Sequence, residues 1–192
     1  MITDRQQEII EASVALINEG GIQALTIKNI AGRIGVTEPA IYRHFKSKSD
    51  ILATLLDLLR KNSKKIYNNR LEEDGSALEK LSRIFRSHFM TFAKMPSLSS
   101  VVFSEELFRN DQLLTVKVSE VIDLNNKILC ALVKEGQQQG QIRDDINHQH
   151  IVVMLMGSLR LFVKKWQFAE FGFDLEKEGL LFAESVIKLI SK

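Results

Sequence analysis

The stretch Thr26–Leu52, TIKNIAGRIGVTEPAIYRHFKSKSDIL, decides the fold of the amino-terminal part of this chain. Its apolar residues keep the spacing of an amphipathic helix, stop at Gly35, and then resume. Two short helices joined by a tight turn that contains glycine form a helix-turn-helix. The pattern predicts one helix capped by Thr26 and a second capped by Thr37, with Pro39 in the first turn, where no amide donor is needed.

The flanking sequence supplies the rest of a small helical domain. Thr3 or Asp4 can cap a first helix that ends at Gly20-Gly21, as an unhindered left-handed cap would, and a longer helix begins near Ser47. The apolar residues that these helices turn toward one another are Ile10, Val14, Ile17, Ile30, Ile34, Val36, Ile41 and Phe45. A core of this size uses only the inner half of each helix, so the outer face of the third helix stays free.

That outer face carries many polar and cationic side chains. The major groove of B-DNA can admit one such helix. The members of this face are Thr37, Glu38, Ala40, Tyr42, Arg43 and His44, with Lys28, Lys46 and Lys48 adding charge nearby. Tyr42 and His44 can form hydrogen bonds to phosphate oxygens, while Arg43 can bind either a guanine or a phosphate. Glu38 either accepts a hydrogen bond from a cytosine amino group or caps the helix.

The distribution of charge favours a polyanionic partner for this part of the chain. Residues 1–70 hold 11 Lys and Arg against 7 Asp and Glu, whereas residues 71–192 hold 15 against 17. The net charge of +2 for the whole chain conceals this difference. A basic amino-terminal third therefore indicates nucleic-acid binding, although an ordinary solvated surface would give the same surplus.

The remaining composition excludes several other classes. A chain of 192 residues that is 45% hydrophobic can bury a core, which argues against disorder. Its one cysteine, Cys130, is interpreted as a small core residue, and the sequence shows no cluster with metal-ligand spacing. Because the sequence shows neither a signal peptide nor an apolar run of membrane-spanning length, we expect a cytoplasmic protein that requires no cofactor, metal or membrane.

The spacing inside the motif is tighter than in a generic helix-turn-helix. Thr26, Ile30-Ala31, Gly35-Val36, Ile41-Tyr42, His44-Phe45, Lys48 and Leu52 stand in the arrangement T-x3-I-A-x3-G-V-x4-I-Y-x-H-F-x2-K-x3-L. Over residues 5–52 the chain resembles the amino-terminal domain of the tetracycline-repressor (TetR) family of bacterial transcription regulators. The resemblance implies DNA contacts at Thr26, Thr37, Pro39, Ala40, Tyr42, His44 and Lys48. Glu38 stands at a position where small polar residues are common in that family.

The rest of the chain predicts a helical body. Its periodicity indicates helices over 77–94, 97–109, 112–139, 147–169 and 174–190, with a hinge at 72–76 and a glycine-punctuated loop at 136–145. No alternating run typical of a strand stands out. We therefore expect an all-α protein, with a three-helix helix-turn-helix DNA-binding domain over 1–48 and a helical effector-binding and dimerisation domain over 49–192.

The last two helices carry apolar stripes suited to pairing with a second copy. In the family that this chain resembles they form the dimer interface, and two helices from each subunit can make a four-helix bundle. The residues expected there are Ile151, Met154, Leu155, Gly157, Ser158, Leu161, Leu180, Ala183, Val186, Ile187 and Ile190. The same stripes would also suit the chain's own core. A homodimer would read a near-palindromic operator in double-stranded DNA, with half-sites about 34–36 Å apart.

Aromatic residues concentrate in the body, where ten of the eleven phenylalanines lie after residue 84. Most of them fill a core, but ligand pockets are also apolar and hold a few polar groups. The candidates for an effector site are Phe85, His88, Phe89, Phe92, Phe103, Phe108, Asn125, Ser158 and Phe162. The resemblance implies that an effector shifts the connecting helix near 47–70 and releases DNA. The composition favours a small hydrophobic effector such as a lipid, an acyl chain or an aromatic drug.

Two other classes of function compete with DNA binding, an enzyme and a carrier of a hydrophobic ligand. An enzyme would need a Ser/His/Asp arrangement, a phosphate-cradling glycine loop or a metal cluster, and the sequence shows none of these. A module that carries a hydrophobic ligand without touching DNA would not need the cationic face around Tyr42. The sequence therefore predicts a ligand-responsive transcriptional repressor, although activation, which depends on operator position, is equally compatible with it.

Overall fold

The computed structural model of the protein describes residues 2–72, 74–103 and 111–192. Within these ranges the chain forms the helices α1 (Asp4–Ala24), α2 (Ile27–Arg33), α3 (Glu38–Tyr42), α4 (Lys48–Glu72), α5 (Ala77–Lys94), α6 (Pro96–Val102), α7 (Gln112–Gln138), α8 (His148–Phe168) and α9 (Leu175–Ile190). The only β pairing among the described residues is one isolated bridge between Ile142 and Ser191. The predicted all-α class is confirmed.

The chain divides into two compact units. The first unit comprises Met1–Arg60 and Met95–Val121, and the second unit comprises Lys61–Lys94 and Ile122–Lys192. Helices α4 and α7 each contribute one part to either unit. The domain boundary predicted at residue 48 stays a prediction.

The first unit is built around the apolar faces of its short helices. Thr3 caps α1 through a reciprocal pair of hydrogen bonds with Gln6. The side chains of Ile9, Ile30 and Ile41 are fully buried, which gives three helices a shared core. These contacts stabilise helices that, at seven and five residues for α2 and α3, would be too short to persist alone.

The predicted end of the first helix at Gly20-Gly21 is a kink rather than an end. Gly21 has a φ of +69°, and the chain then completes one further turn up to Ala24. Leu25, which follows that turn, is fully buried in the core of the unit. The prediction was therefore right about where the helical geometry breaks and wrong about where the helix stops.

The second unit is held together by close helix packing. A Cβ atom on Gly179 of α9 would lie 2.6 Å from Cγ of Phe89 on α5, so only glycine fits this contact. A Cβ atom on Gly136 would lie 2.8 Å from Cβ of Ala77 and 2.6 Å from Cδ1 of Ile142. Gly136 thus lies inside α7 and not in the loop predicted for 136–145, because it serves close packing rather than a turn.

Two further expectations concern the extent of the helices. The helix predicted over 97–109 is observed as α6 up to Val102, and residues 104–110, which include Phe108, lie outside the described residues. Of the helices that the structure describes, none combines the length and the apolar character needed to cross a membrane.

Candidate nucleic-acid interface and ligand site

Helix α3 separates an apolar inner face from a polar outer face. Ile41 and Phe45, at the inner face, are 0% and 2% exposed, whereas Tyr42 between them is 51% exposed. The turn that sets this orientation contains Gly35, whose φ of +68° is unfavourable for other residues. The amide of Val36 donates to the carbonyl of Ala31 at 3.0 Å and closes the turn. The outer face of α3 is therefore free for a partner.

The predicted DNA contacts gather on the surface around this helix. Eight of them are exposed, namely Thr26, Lys28, Thr37, Glu38, Pro39, Tyr42, Arg43 and Lys46, and the other three, Ala40, His44 and Lys48, are half-buried. Their hydroxyl, guanidinium, imidazole and ammonium groups can donate hydrogen bonds to phosphate oxygens and base edges.

The two threonine caps behave differently. The side-chain oxygen of Thr26 accepts from the amide of Asn29 at 3.1 Å and so caps α2, as predicted. Thr37 occupies the N-cap position of α3 but makes no side-chain capping bond. Its hydroxyl can therefore donate to a phosphate without releasing a cap of its own helix.

Lys48 has a structural contact that the sequence did not reveal. Its Nζ donates to the carbonyl oxygen of Ile22 at 3.1 Å, which ties the start of α4 to the last turn of α1. Desolvation by the surrounding protein lowers the pKa of this ammonium group. The remaining N–H donors of Lys48 can still bind a phosphate, since an ammonium group carries three.

A cleft of about 180 Å³ lies between α1 and α3. Its cationic and imidazole lining comes from Arg5, Arg43 and His44, and its apolar lining from Ile9, Val36, Ala40 and Ile41. The amide nitrogen Nε2 of Gln6 donates to the carbonyl of His44 at 3.3 Å and holds the amino-terminal end of α1 there. Arg5 was absent from the predicted contacts because only the packing of α1 brings it next to Arg43.

In the second unit, the predicted aromatic residues form a cluster centred on Phe162. The ring of Phe162 stacks on Phe182 with centroids 4.4 Å apart, and it meets Phe89 and Phe173 edge-on at 5.7 Å each. Phe85, Phe89 and Phe92 are buried, while Phe162 keeps partial exposure. The sequence identified Phe89 and Phe162 as candidates but missed Phe173 and Phe182.

A hydrogen-bonded polar pair lies in the same unit. Nδ1 of His88 lies 2.9 Å from the carbonyl oxygen of Ile84. Because a carbonyl oxygen can only accept, Nδ1 carries the proton. The other ring nitrogen, Nε2, accepts from the hydroxyl of Tyr67 at 3.3 Å. Desolvation by burial lowers the pKa of His88, and burial raises the pKa of Tyr67. His88 as a whole residue is nevertheless only half-buried.

The other predicted effector residues differ in their surroundings. Asn125 is 8% exposed and its Oδ1 has no hydrogen-bond partner among the described residues. Ser158 donates to the carbonyl of Leu155 on its own helix at 2.9 Å, so its hydroxyl is already satisfied. Phe103 belongs to the first unit, and Phe108 lies outside the described residues.

The predicted dimer residues divide into an exposed and a buried set. Met154, Gly157 and Leu161 are exposed, Ser158, Leu180, Val186 and Ile187 are half-buried, and Ile151, Leu155, Ala183 and Ile190 are buried within the subunit. On α8 and α9, four large apolar side chains that the prediction did not include are also exposed, namely Val153, Phe168, Leu181 and Leu189, at 68%, 83%, 52% and 73%. The helical spacing of the apolar residues alone could not show which of them face out of the subunit and which face its core.

No group of three or more His, Cys, Asp and Glu side chains that could hold a metal ion occurs among the described residues.

Known proteins resemble this chain over nearly its whole length. Residues 9–55 match the model of bacterial regulatory proteins of the tetR family, and residues 58–192 match the C-terminal region of the YsiA-like protein. The fatty acid metabolism regulator protein of Bacillus subtilis (strain 168) is 29% identical over 190 residues, which cover 97% of this chain and 93% of the relative.

Two solved structures of regulators named FadR share the fold. The fatty acid degradation regulator FadR from Bacillus halodurans has a TM-score of 0.85 at 25% identity and covers 97% of this chain and 96% of its own. The transcriptional regulator FadR from Bacillus subtilis, solved in complex with stearoyl-CoA, has a TM-score of 0.77 at 28% identity, over 95% of this chain and 96% of its own. These relatives are regulators and not enzymes. The chain belongs to the tetR family of bacterial regulatory proteins and is a ligand-responsive, DNA-binding transcriptional regulator.

Proposed function

We propose that this regulator is a homodimeric repressor that holds a near-palindromic operator and releases it when a long-chain fatty acyl-CoA binds the second unit. The observation that carries DNA binding is the orientation of α3, which buries Ile41 and Phe45 and leaves Tyr42 and its cationic neighbours outside. The acyl-CoA part is supported by the stearoyl-CoA complex of the Bacillus subtilis regulator and by the aromatic cluster around Phe162.

On the operator, α3 enters the major groove and the surrounding donors fix its register. Tyr42, His44 and Thr37 bind phosphate oxygens, as does the part of Lys48 that its bond to Ile22 leaves available. We add Arg5 to this set, because it shares a cleft with Arg43 and His44 and a phosphate beside α3 would lie within the reach of all three. Arg43 either joins these phosphate contacts or reads a guanine.

Dimerisation is proposed through the exposed apolar side chains of α8 and α9. Val153, Leu161 and Phe168 on α8, and Leu181 and Leu189 on α9, are more than half exposed in the single chain. Large apolar side chains exposed along two adjacent helices indicate an interface. Two such helices from each subunit would form a four-helix bundle and set the distance between the two reading helices.

Release is proposed to act through α4. This helix begins at Lys48, directly after the reading helix, and it carries Tyr67, whose hydroxyl bonds His88 on α5. A ligand beside His88 can therefore bias the position of α4. The ligand must bind the released state more tightly than the operator-bound state, and by linkage the operator weakens ligand binding by the same factor.

The DNA-binding part is tested with a duplex that the protein itself selects from a random library. Tyr42→Ala and Arg43→Ala are expected to weaken binding at least tenfold without changing the melting temperature, because both side chains are exposed. Arg5→Ala is expected to reduce the steepness of log affinity against log salt concentration by about one unit, which corresponds to one lost phosphate contact. Lys134→Ala, an exposed lysine of the second unit, is the control that should change neither quantity. Failure of the wild-type protein to select any sequence would favour a ligand carrier that does not touch DNA.

The effector part is tested on the complex with that duplex. Stearoyl-CoA is expected to release the DNA, whereas free CoA at the same concentration is the control for the charged nucleotide. Release by both compounds would point to competition for the cationic DNA-binding face. Release by neither would contradict an acyl-CoA effector and leave DNA binding untouched.

A further inference from the structure

The amide of Asn125 is the least satisfied buried polar side chain that the structure describes in the second unit. Its side chain is 8% exposed, and Oδ1 has neither a hydrogen-bond partner nor access to solvent. Ser87 lies equally deep, yet its hydroxyl donates to the carbonyl of Arg83 at 2.9 Å. Burying an acceptor without a donor costs stability, so a position that keeps one requires an explanation.

The surroundings of Asn125 on α7 are apolar. Leu129 and Leu132, one and two turns further along the same face, are 0% and 1% exposed. The helix then reaches Gly136, which packs against Ala77 of α5. Asn125 lies eleven residues from that contact along α7, and His88 lies eleven residues from it along α5, so each is about 16 Å from it along its own helix. Because Oδ1 of Asn125 has no access to solvent, bulk water does not satisfy it in the unliganded protein.

We propose that the amide of Asn125 binds the pantetheine arm of the acyl-CoA and thereby distinguishes the thioester from the free fatty acid. This inference rests on the function proposed above. An acyl chain and a thioester carry no N–H or O–H group, and an ionised carboxylate can only accept. The pantetheine arm, in contrast, carries amide N–H groups and a hydroxyl that can donate to Oδ1, and carbonyls that can accept from the amide nitrogen of Asn125.

If this is so, Asn125 lowers the stability of the unliganded protein and raises its affinity for the acyl-CoA. Replacing Asn125 by leucine, which has nearly the same size, removes the unsatisfied acceptor. The unliganded Asn125→Leu variant is therefore expected to melt at the same temperature as the wild type or at a higher one. The Kd for stearoyl-CoA is expected to rise about tenfold, as the loss of a buried hydrogen-bonded contact does. The Kd for stearate is expected to stay within about twofold of the wild-type value.

The measurements are calorimetric titrations of the full-length protein with stearoyl-CoA and with stearate, together with thermal unfolding without ligand. Asn126→Leu makes the same change at the next, half-buried residue and should leave the ratio of the two Kd values as in the wild type. Asn125→Ala, a smaller side chain, is expected to shift the ratio in the same direction as Asn125→Leu, which guards against a steric effect of leucine.

The outcomes separate this inference from the proposed function. Equal loss of affinity for stearoyl-CoA and stearate would overturn the role of Asn125 in recognising pantetheine, as would unchanged affinity for both. A clear drop in melting temperature for both Asn125 variants would overturn it too, because the amide would then have a partner inside the unliganded protein. Absence of stearoyl-CoA binding by the wild type would overturn the proposed effector itself.

Discussion

The two units differ in where they place the polar side chains that are proposed to bind a partner. In the first unit Ile9, Ile30 and Ile41 are fully buried, the buried serines Ser13 and Ser99 donate to nearby carbonyls, and the donors near α3 lie outside. In the second unit Tyr67 and Asn125 lie inside, among aromatic and aliphatic side chains. DNA is a partner that stays outside the protein, so its contacts must be on the surface. A hydrophobic effector must be enclosed, so the groups that orient it must be buried with it.

The sharpest test of this contrast uses two adjacent residues of α3. Ile41→Ala is expected to lower the free energy of unfolding by about 2–5 kcal/mol, because it leaves a cavity in a core that is fully buried. Tyr42→Ala is expected to change it by less than about 0.5 kcal/mol, since Tyr42 is 51% exposed, yet to weaken operator binding. Urea denaturation followed by circular dichroism measures the first quantity. Equal destabilisation by the two variants would mean that the outer face of α3 also serves the fold.

In the second unit a single methyl group is expected to be costly. Gly179→Ala would place its Cβ atom 2.6 Å from the ring of Phe89, and we expect a loss of about 1–3 kcal/mol in the free energy of unfolding. The matched control is Gly157→Ala on α8, where a Cβ atom meets nothing within 4 Å and alanine favours the helix by up to about 1 kcal/mol. Thermal unfolding at a low protein concentration, where the control reports on the single chain, checks both. A harmless Gly179→Ala would contradict the close packing of α9 on α5.

Most of the helices could be predicted because their apolar residues recur at helical spacing over a long stretch and polar or glycine-containing segments mark where they begin and end. The helix predicted over 77–94 is α5, Ala77–Lys94, and it begins directly after the polar hinge. Gly136 was included both in the helix predicted over 112–139 and in the loop predicted over 136–145, because a glycine required for close packing cannot be told from a glycine that ends a helix without knowing what lies opposite. Here Ala77, some sixty residues earlier, lies opposite.

The two sites differ in how far the sequence could predict them. The outer face of α3 could be predicted because it is defined by residues close together in the sequence, namely Ile41, Tyr42 and Phe45. A single sequence shows such short-range patterns directly. The sequence did not reveal the place of Arg5 in the cleft or the bond of Lys48 to Ile22, because both come from tertiary packing. Tyr67 was missed in the second unit because it stands in a polar stretch and only the fold brings it to His88.

The buried pair of Tyr67 and His88 predicts a dependence of stability on pH. Burial lowers the pKa of His88 from its ordinary value of 6.5, so below pH 6.5 the unfolded chain takes up a proton that the folded chain does not. This contribution to stability is complete above pH 6.5 and declines on acidification by at most about 1.4 kcal/mol per pH unit, until the folded histidine also becomes protonated.

The variant that isolates this effect is Tyr67→Phe with His88→Phe, which removes both polar partners at once. The difference in free energy of unfolding between wild type and variant, measured by urea denaturation from pH 8 to pH 5, is expected to be constant above pH 7 and to change below 6.5. Parallel curves over the whole range would mean that His88 titrates equally in the folded and unfolded chains.

The smallest expected effect belongs to a network of ion pairs in the first unit that joins α4 to α7. Lys117 Nζ lies 3.0 Å from Oδ1 of Asp57, and Arg60 lies 3.3 Å from Oε2 of Glu120. These side chains are partly exposed, so Lys117→Ala is expected to cost only about 0.2–1 kcal/mol, less at high salt. Weak ion pairs are compatible with the proposed movement of α4. If α4 moves on release, Lys117→Ala should lower the stearoyl-CoA concentration that releases half of the operator duplex. An unchanged concentration would mean that release leaves the contact between Asp57 and Lys117 intact.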